Sequence, residues 1–122
     1  MKKILIVDDD VHLSEAIANY LSLKTGHKII MAEDGEVAWD LIQMENPDMI
    51  LLDVVLPQIS GIALYKMLQK YENTKKIPVI FMSGVFLDDV FKKESIEMGV
   101  VDYILKPLSF KALLEKVNSV LS

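Results

Sequence analysis

The feature that most constrains this chain is the alternation of short apolar runs with stretches of helical periodicity. Four of the five runs are nearly continuous apolar segments, which is typical of strands covered on both faces of a parallel sheet. The runs, in chain order, are Ile4–Val7, Ile29–Met31, Met49–Leu52, Val79–Met82 and Tyr103–Leu105.

A helix is predicted after each run, because apolar residues recur there at the 3.6-residue period. Gly26 is expected to end the first helix, and Ser60 and Ser109 to cap the third and fifth. Five strands and five helices in strict alternation predict a doubly wound α/β sandwich with right-handed crossovers, and leave the strand order open. The apolar positions of the second and fourth helices are Val37, Ala38, Leu41 and Ile42, and then Phe86, Leu87, Val90 and Phe91.

Length and composition exclude several classes of protein. A chain of 122 residues has the size of one domain, so residues 1–122 are expected to form a single unit. Cysteine is absent, which excludes disulfides and thiolate metal sites. A net charge of −5 disfavours nucleic-acid binding, and the short apolar runs disfavour a membrane span. We expect a cytoplasmic protein.

Polar residues stand directly after four of the apolar runs. Parallel strands end at one edge of the sheet, where ligands bind in the crevice beyond their carboxyl ends. The sequence therefore predicts that several carboxylates, a hydroxyl and an ammonium group converge there. These residues are Asp8, Asp9 and Asp10 after the first run, Asp53 after the third, Ser83 after the fourth and Lys106 after the fifth.

Each of these residues also has an ordinary structural explanation. Asp10 is placed to cap the first helix, and Ser83 with Gly84 is common turn chemistry. Asp53 is harder to explain in this way, because Val54–Pro57 follow it and no helix starts there. An unpaired carboxylate in such apolar surroundings is costly unless something binds it.

Converging carboxylates need a cation. Two like charges about 4 Å apart cost about 4 kcal/mol at an effective dielectric constant near 20. An all-oxygen ligand set suits Mg²⁺ or Mn²⁺ and does not suit zinc. A divalent cation beside a carboxylate and a lysine is also a site for phosphoryl chemistry, in which the carboxylate is the nucleophile. The residues thus predict a Mg²⁺-dependent aspartyl phosphate.

The ordered set of these pieces resembles the receiver domain of two-component response regulators, in its stand-alone form. The match runs from Lys3 to about Leu121. The resemblance implies a flavodoxin-like five-stranded parallel sheet in the order 2-1-3-4-5. The pieces that carry it are Val7–Asp10, Asp53–Pro57 with Gly61, Ser83–Gly84 and Asp102–Pro107.

The resemblance also implies a role for each site residue. Asp53 is expected to be the phosphoacceptor and, with Asp9 and the main-chain carbonyl of Val55, a direct Mg²⁺ ligand. Asp8 is expected to act mainly through waters on the metal and through the acidic field.

Three further residues receive roles by the same resemblance. Lys106 is expected to contact the phosphoryl oxygens, and the Ser83 hydroxyl to close onto them. Tyr103 stands at the switch aromatic, which turns inward when that hydroxyl moves. Val55 and Val85 line the approach to the phosphoryl group and offer no polar group to orient a water, which predicts a long-lived phosphoaspartate.

The function implied is a phosphorylation-dependent interaction module, with no multiple-turnover activity on an external substrate. The phosphodonor is expected to be a histidine kinase or a histidine phosphotransfer protein. Output to a downstream protein is expected through the fourth helix, fifth strand and fifth helix, about residues 88–121.

Two alternatives remain. A phosphatase of the haloacid-dehalogenase type would use Asp8 and Asp10 with Ser83 and Lys106, but it leaves Asp53 unexplained. A degenerate receiver would bind partners without being phosphorylated. A flavodoxin-like FMN carrier is discarded, because the aspartates after the first run would repel a phosphate that has no metal.

Overall fold

The computed structural model describes the backbone of residues 1–84 and 89–122, and the side chains of residues 1–84 and 93–122. The predicted alternation of strands and helices is confirmed. Phe86 and Leu87, expected to open the fourth helix, lie outside the described residues, as do Val85 and Asp88. The elements are β1 (Lys3–Val7), α1 (Val11–Thr25), β2 (Lys28–Ala32), α2 (Gly35–Glu45), β3 (Met49–Asp53), α3 (Gly61–Gln69), β4 (Val79–Ser83), α4 (Asp89–Met98), β5 (Asp102–Leu105) and α5 (Phe110–Leu121).

The strands form one parallel sheet in the order β2-β1-β3-β4-β5, as the resemblance implied. The register aligns the carboxyl ends of neighbouring strands. Val7 pairs with Leu52, Asp53 with Met82, and Ser83 with Leu105. The residues that end β1, β3, β4 and β5 therefore meet at one edge of the sheet.

Each face of the sheet carries its own apolar core. One core packs α2 and α3 against Leu5, Val7 and their neighbours, and the other packs α1 and α5 against Ile4, Ile6 and theirs. Strands β3 and β4 are buried along their whole length, and β1 at every residue except Lys3, whereas β2 and β5 at the sheet edges are half-covered. Continuous apolar sequence thus marks the central strands, because alternate side chains enter opposite cores.

The predicted helix boundaries agree with the capping observed. Asp10, Ser60 and Ser109 each accept a hydrogen bond from a backbone N–H three residues on, and Gly26 ends α1 in the left-handed conformation. One expected core position is wrong: Val37 in the first turn of α2 is exposed, because only Ala38 and Ile42 of that stripe face the sheet fully. No helix in the described ranges is long and apolar enough to cross a membrane.

Gly61 begins α3 where no side chain fits. A Cβ at this position would lie 2.0 Å from the carbonyl oxygen of Asp53. The Gly61 N–H donates to the carbonyl of Val54 at 2.9 Å, and the Val54 N–H donates to that of Met82 at 3.0 Å. The chain after β3 therefore folds back onto the end of the strand and holds the backbone of Asp53 in place.

We expect Gly61→Ala to destabilise the protein by about 3 kcal/mol, because the added methyl group meets backbone atoms that cannot move aside. For a domain of this size, that corresponds to a fall in Tm of about 10 °C. Gly84→Ala is the matched control, since the nearest atom its Cβ would meet among the described residues is 3.7 Å away. Equal melting temperatures of the two variants, measured by circular dichroism, would contradict the close-approach argument.

Candidate functional site

The predicted site residues lie together at the carboxyl edge of the sheet. Asp8 follows β1 directly, Asp53 and Ser83 are the last residues of β3 and β4, and Lys106 follows β5. Their strands are neighbours in the sheet, so parallel topology alone brings these side chains to one place.

The Lys106 ammonium group joins the two buried carboxylates. Its Nζ lies 2.6 Å from Asp8 Oδ2 and 3.1 Å from Asp53 Oδ2. Asp8 is 1% exposed and Asp53 is 5% exposed, so both charges are largely removed from water. A buried carboxylate is tolerated only when it is paired and hydrogen-bonded, and Lys106 provides the pairing.

The second oxygen of each carboxylate accepts a backbone hydrogen bond. The Asp10 N–H donates to Asp8 Oδ1 at 2.9 Å, and the Val55 N–H donates to Asp53 Oδ1 at 3.0 Å. Each bond spans two residues and forms an Asx turn, which bends the chain as it leaves the strand. The carboxylates are therefore held in one orientation before any ligand arrives.

A third carboxylate completes an acidic cluster. Oxygens of Asp8, Asp9 and Asp53 lie within 4.8 Å of one another, and the Asp9 side chain is exposed. With Lys106, these groups carry three negative charges and one positive charge. The donor set is all oxygen and the charge is uncompensated, which fits a hard divalent cation such as Mg²⁺.

The desolvation of the buried Asp8 carboxylate is only partly compensated by its partners. Burial raises the pKa of Asp8 above its ordinary value, and the charge of Asp53 adds to this effect, while the bonds from Lys106 and the Asp10 N–H offset only part of it. Burial lowers the pKa of Lys106, but its hydrogen bonds to Asp8 and Asp53 and their charges outweigh burial, so the net change is upward. Lys106 therefore stays charged, and Asp8 is the group whose ionisation is disfavoured.

The end of β4 lies beside the stem of Lys106. The Lys106 N–H donates to the carbonyl of Ser83 at 2.8 Å, and the Ser83 side chain is buried. A Cβ on Gly84 would touch the Lys106 stem at 3.7 Å, so a large side chain here would obstruct the lysine. The Lys106–Pro107 peptide bond is cis. Tyr103 is half-buried in β5 and packs against the core beneath α2 and α3.

The contribution of two residues was not apparent from the sequence. Gly61 belongs to the motif that carries the resemblance. Its spacing from Asp53 was the available signal that α3 begins against the Asp53 backbone. Asp10 is predicted both as a helix cap and as one of the converging carboxylates. Its side chain caps α1, its carboxylate is not in the Asp8–Asp9–Asp53 group, and its N–H orients Asp8. The two-residue spacing of an Asx turn was the available signal for that second contact.

Comparison with known proteins yields a consistent family. The family described as "Response regulator receiver domain" matches residues 4–118. The chain is 39% identical over 120 residues to the phosphate regulon transcriptional regulatory protein PhoB of Pseudomonas aeruginosa, and 35% identical over 121 residues to the probable transcriptional regulator ycf27 of Cyanophora paradoxa. In each case 98% of this chain is covered, but only 52% and 48% of the relative, so the chain spans about half the length of these curated relatives.

The fold comparison agrees. The receiver domain of the Francisella response regulator 1452 superposes with a TM-score of 0.88 at 33% sequence identity. The alignment covers 98% of this chain and 96% of that one.

We expect Asp8→Asn to raise the Tm at neutral pH in metal-free buffer, because it removes the charge that burial disfavours. The pKa of Asp8 is higher in the folded chain than in the unfolded chain, so folding favours the protonated carboxyl group. The free energy of unfolding of the parent therefore decreases as the pH rises from 3.8 through the folded-state pKa of Asp8. The gap between variant and parent should therefore close as pH falls toward 3.8, the ordinary pKa. Thermal melts in EDTA across this pH range measure it.

Asp9→Asn is the matched control, since it removes an exposed charge from the same cluster and should change the Tm little. A melting temperature of Asp8→Asn below that of the parent at neutral pH would contradict the conclusion that the ionised Asp8 carboxylate destabilises the fold.

Proposed function

Because this chain belongs to the response regulator receiver domain family, we propose that Asp53 accepts a phosphoryl group and that residues 1–122 form one such domain. The chain is a receiver domain of two-component signalling, a signalling module and not a conventional enzyme. The observation that carries the assignment of Asp53 is its pairing with Lys106 inside the acidic cluster.

The chemistry proposed is transfer from a phosphohistidine. A carboxylate oxygen of Asp53 attacks phosphorus, the new O–P bond forms, and the N–P bond breaks with its electron pair returning to the imidazole. Such transfers are accelerated mainly by positioning and by neutralising charge on the phosphoryl oxygens. Lys106 already lies 3.1 Å from Asp53 and offers further N–H donors for those oxygens.

The cation proposed for the site is Mg²⁺ or Mn²⁺. Receiver domains bind Mg²⁺ at an acidic site, and the oxygens of Asp8, Asp9 and Asp53 are close enough to share one ion. Asp9, Asp53 and the Val55 carbonyl would hold it directly, and Asp8 through its waters. When bound, the ion supplies positive charge where the phosphoryl oxygens gather.

The switch proposed follows from the position of Lys106 and Ser83. A phosphoryl group on Asp53 offers new acceptors to the Lys106 ammonium and to the Ser83 hydroxyl at the end of the neighbouring strand. Tyr103 is the proposed partner of Ser83 in this switch, because β5, which carries Tyr103, pairs with β4, which carries Ser83. Phosphorylation would then shift a population between two states of the domain.

The partners proposed are a histidine kinase or a phosphotransfer protein, and a downstream protein that binds the α4-β5-α5 face. Receiver domains interact with such donors. The large apolar residues Ile96, Val101 and Leu105 are about half-exposed on this face, which supports a protein contact there. A cytoplasmic location and the absence of nucleic-acid and membrane contacts stay predictions.

The haloacid-dehalogenase alternative receives no support from the comparisons. It also gives no reason for Asp53 to be buried against Lys106, whereas the receiver assignment does. The phosphorylation experiment below also tests the degenerate-receiver alternative.

We expect incubation with a small-molecule phosphodonor and Mg²⁺ to add the mass of one phosphoryl group to the protein, because Asp53 is the poised acceptor. Omission of Mg²⁺ should reduce labelling at least about tenfold, since several kcal/mol of charge neutralisation is lost. Intact mass spectrometry measures the adduct.

Asp53→Asn should abolish the adduct, and Asp40→Asn, which changes an exposed aspartate on α2, should leave it unchanged. Continued turnover of the donor without a stable adduct would favour a phosphatase. No adduct on the parent would favour a degenerate receiver.

We also expect Val55→Asn to shorten the lifetime of the phosphoprotein. Val55 is 56% exposed beside Asp53, and its isopropyl group has no polar atom to orient an attacking water. One added hydrogen bond of about 1 kcal/mol would speed hydrolysis about fivefold. Val37→Asn, which changes another exposed valine, on α2, is the control. Equal decay rates of parent and Val55→Asn would disprove this role for Val55.

A further inference from the structure

A cavity of about 260 Å³ opens beside Asp8, between the start of α1 and the end of β2. Its polar lining consists of Asp8, Ser14, Glu15 and Glu33, and its apolar lining of Val11, Met31 and Ala32. Lys106 is not part of this lining, although it pairs with Asp8, which is.

One of the lining residues, Ser14, carries a polar atom without a hydrogen-bond partner in the described part of the chain. Ser14 is 3% exposed, and its Oγ has no hydrogen bond to any residue that the structure describes. The backbone N–H of Ser14 is used by the helix, since it donates to the Asp10 carbonyl at 3.0 Å. A buried hydroxyl left unpaired costs stability, so a ligand that supplied the missing bond would be stabilised here.

The charge of the lining selects the kind of ligand. Asp8, Glu15 and Glu33 are all acidic, and none of the described residues that line the cavity is cationic. Within residues 1–84 and 93–122, neither glutamate forms an ion pair. Asp8 is already paired with Lys106. The two unpaired glutamates beside an unpaired hydroxyl therefore favour a cation that also donates hydrogen bonds.

The walls and the size favour an organic cation over a metal ion. Val11, Met31 and Ala32 offer an apolar surface for an alkyl chain. In the described part of the chain, only Asp8, Asp9 and Asp53 bring carboxylate oxygens close enough to share a metal, and neither glutamate belongs to that group. The volume is below the range of drug-sized ligand sites, so only a short chain fits.

We propose that this cavity binds an alkylguanidinium group, which reaches the Ser14 hydroxyl and the carboxylates of Glu15 and Glu33. These acceptors lie on two separate elements, α1 and the end of β2. A planar guanidinium presents five donors in a fixed fork and is weakly hydrated, so it serves divided acceptors better than a compact ammonium does.

The test is a titration of the ¹⁵N-labelled chain with butylguanidinium in EDTA, followed by NMR. Saturable shifts are expected at the amides of Ser14, Glu15 and Glu33, with a Kd on the order of 1 mM for so small a ligand. N-acetylarginine amide is the second probe: binding of both probes means that a protein side chain can supply the group. Binding of butylguanidinium alone assigns a free small molecule. Equal binding of butylammonium would overturn the guanidinium assignment.

Variants separate specific binding from general attraction to an acidic protein. Glu15→Gln with Glu33→Gln should weaken binding about three- to tenfold, since exposed ion pairs are each weak. Ser14→Leu should abolish binding by occupying part of the cavity. Glu115→Gln removes one exposed charge on α5 and should leave the Kd unchanged. Shifts that do not saturate, or an unchanged Kd in the double glutamine variant, would overturn the proposal, and the double variant tests it even if Ser14→Leu fails to fold.

Discussion

The site depends on one ammonium group placed between two carboxylates that have left water. Lys106 lies within 3.1 Å of both Asp8 and Asp53, which would otherwise repel each other at the edge of the sheet. The ion pairs with Lys106 offset part of the desolvation cost of burying the two carboxylates. They do not offset all of it, as the raised pKa of Asp8 indicates. Replacing such ionic groups by apolar ones is often neutral or stabilising, so their presence is better explained by binding than by stability.

Lys106 can occupy this position because of the strand order. Lys106 follows β5, and β4 lies between that strand and β3. Its side chain must therefore cross two strand spacings, about 10 Å in all, to reach Asp53. The small residues Ser83 and Gly84 at the end of β4 leave room for the stem. On the far side, β1 is adjacent to β3 and brings Asp8 to the same ammonium. The order 2-1-3-4-5 thus centres the site on β3.

Strands and helix ends could be predicted from the sequence because they depend on local patterns. Strand order and the burial of individual side chains could not, because they depend on tertiary contacts. Apolar runs located every strand, and Ser60, Ser109 and Gly26 marked helix ends, because periodicity and capping are local. The strand order came from resemblance and not from the residues, since no local pattern encodes it. Val37 was misjudged because a helical stripe does not reveal how wide a face the sheet covers. The unpaired Ser14 hydroxyl was overlooked, because Ser14 shows its burial only when α1 packs against the sheet.

Asp8 links the two halves of this acidic edge. Asp8 forms an ion pair with Lys106, and it also lines the cavity together with Ser14. A cation near Asp8 in the cavity would favour its ionised form, and so would a cation in the Asp8–Asp9–Asp53 cluster. Two cations close to one carboxylate also repel each other. The balance of these two opposed effects would set the sign of any coupling, which by linkage is reciprocal. A ligand in the cavity would thus act on the Asp8–Asp9–Asp53 cluster without any change of fold, through the carboxylate whose ionisation is least favoured.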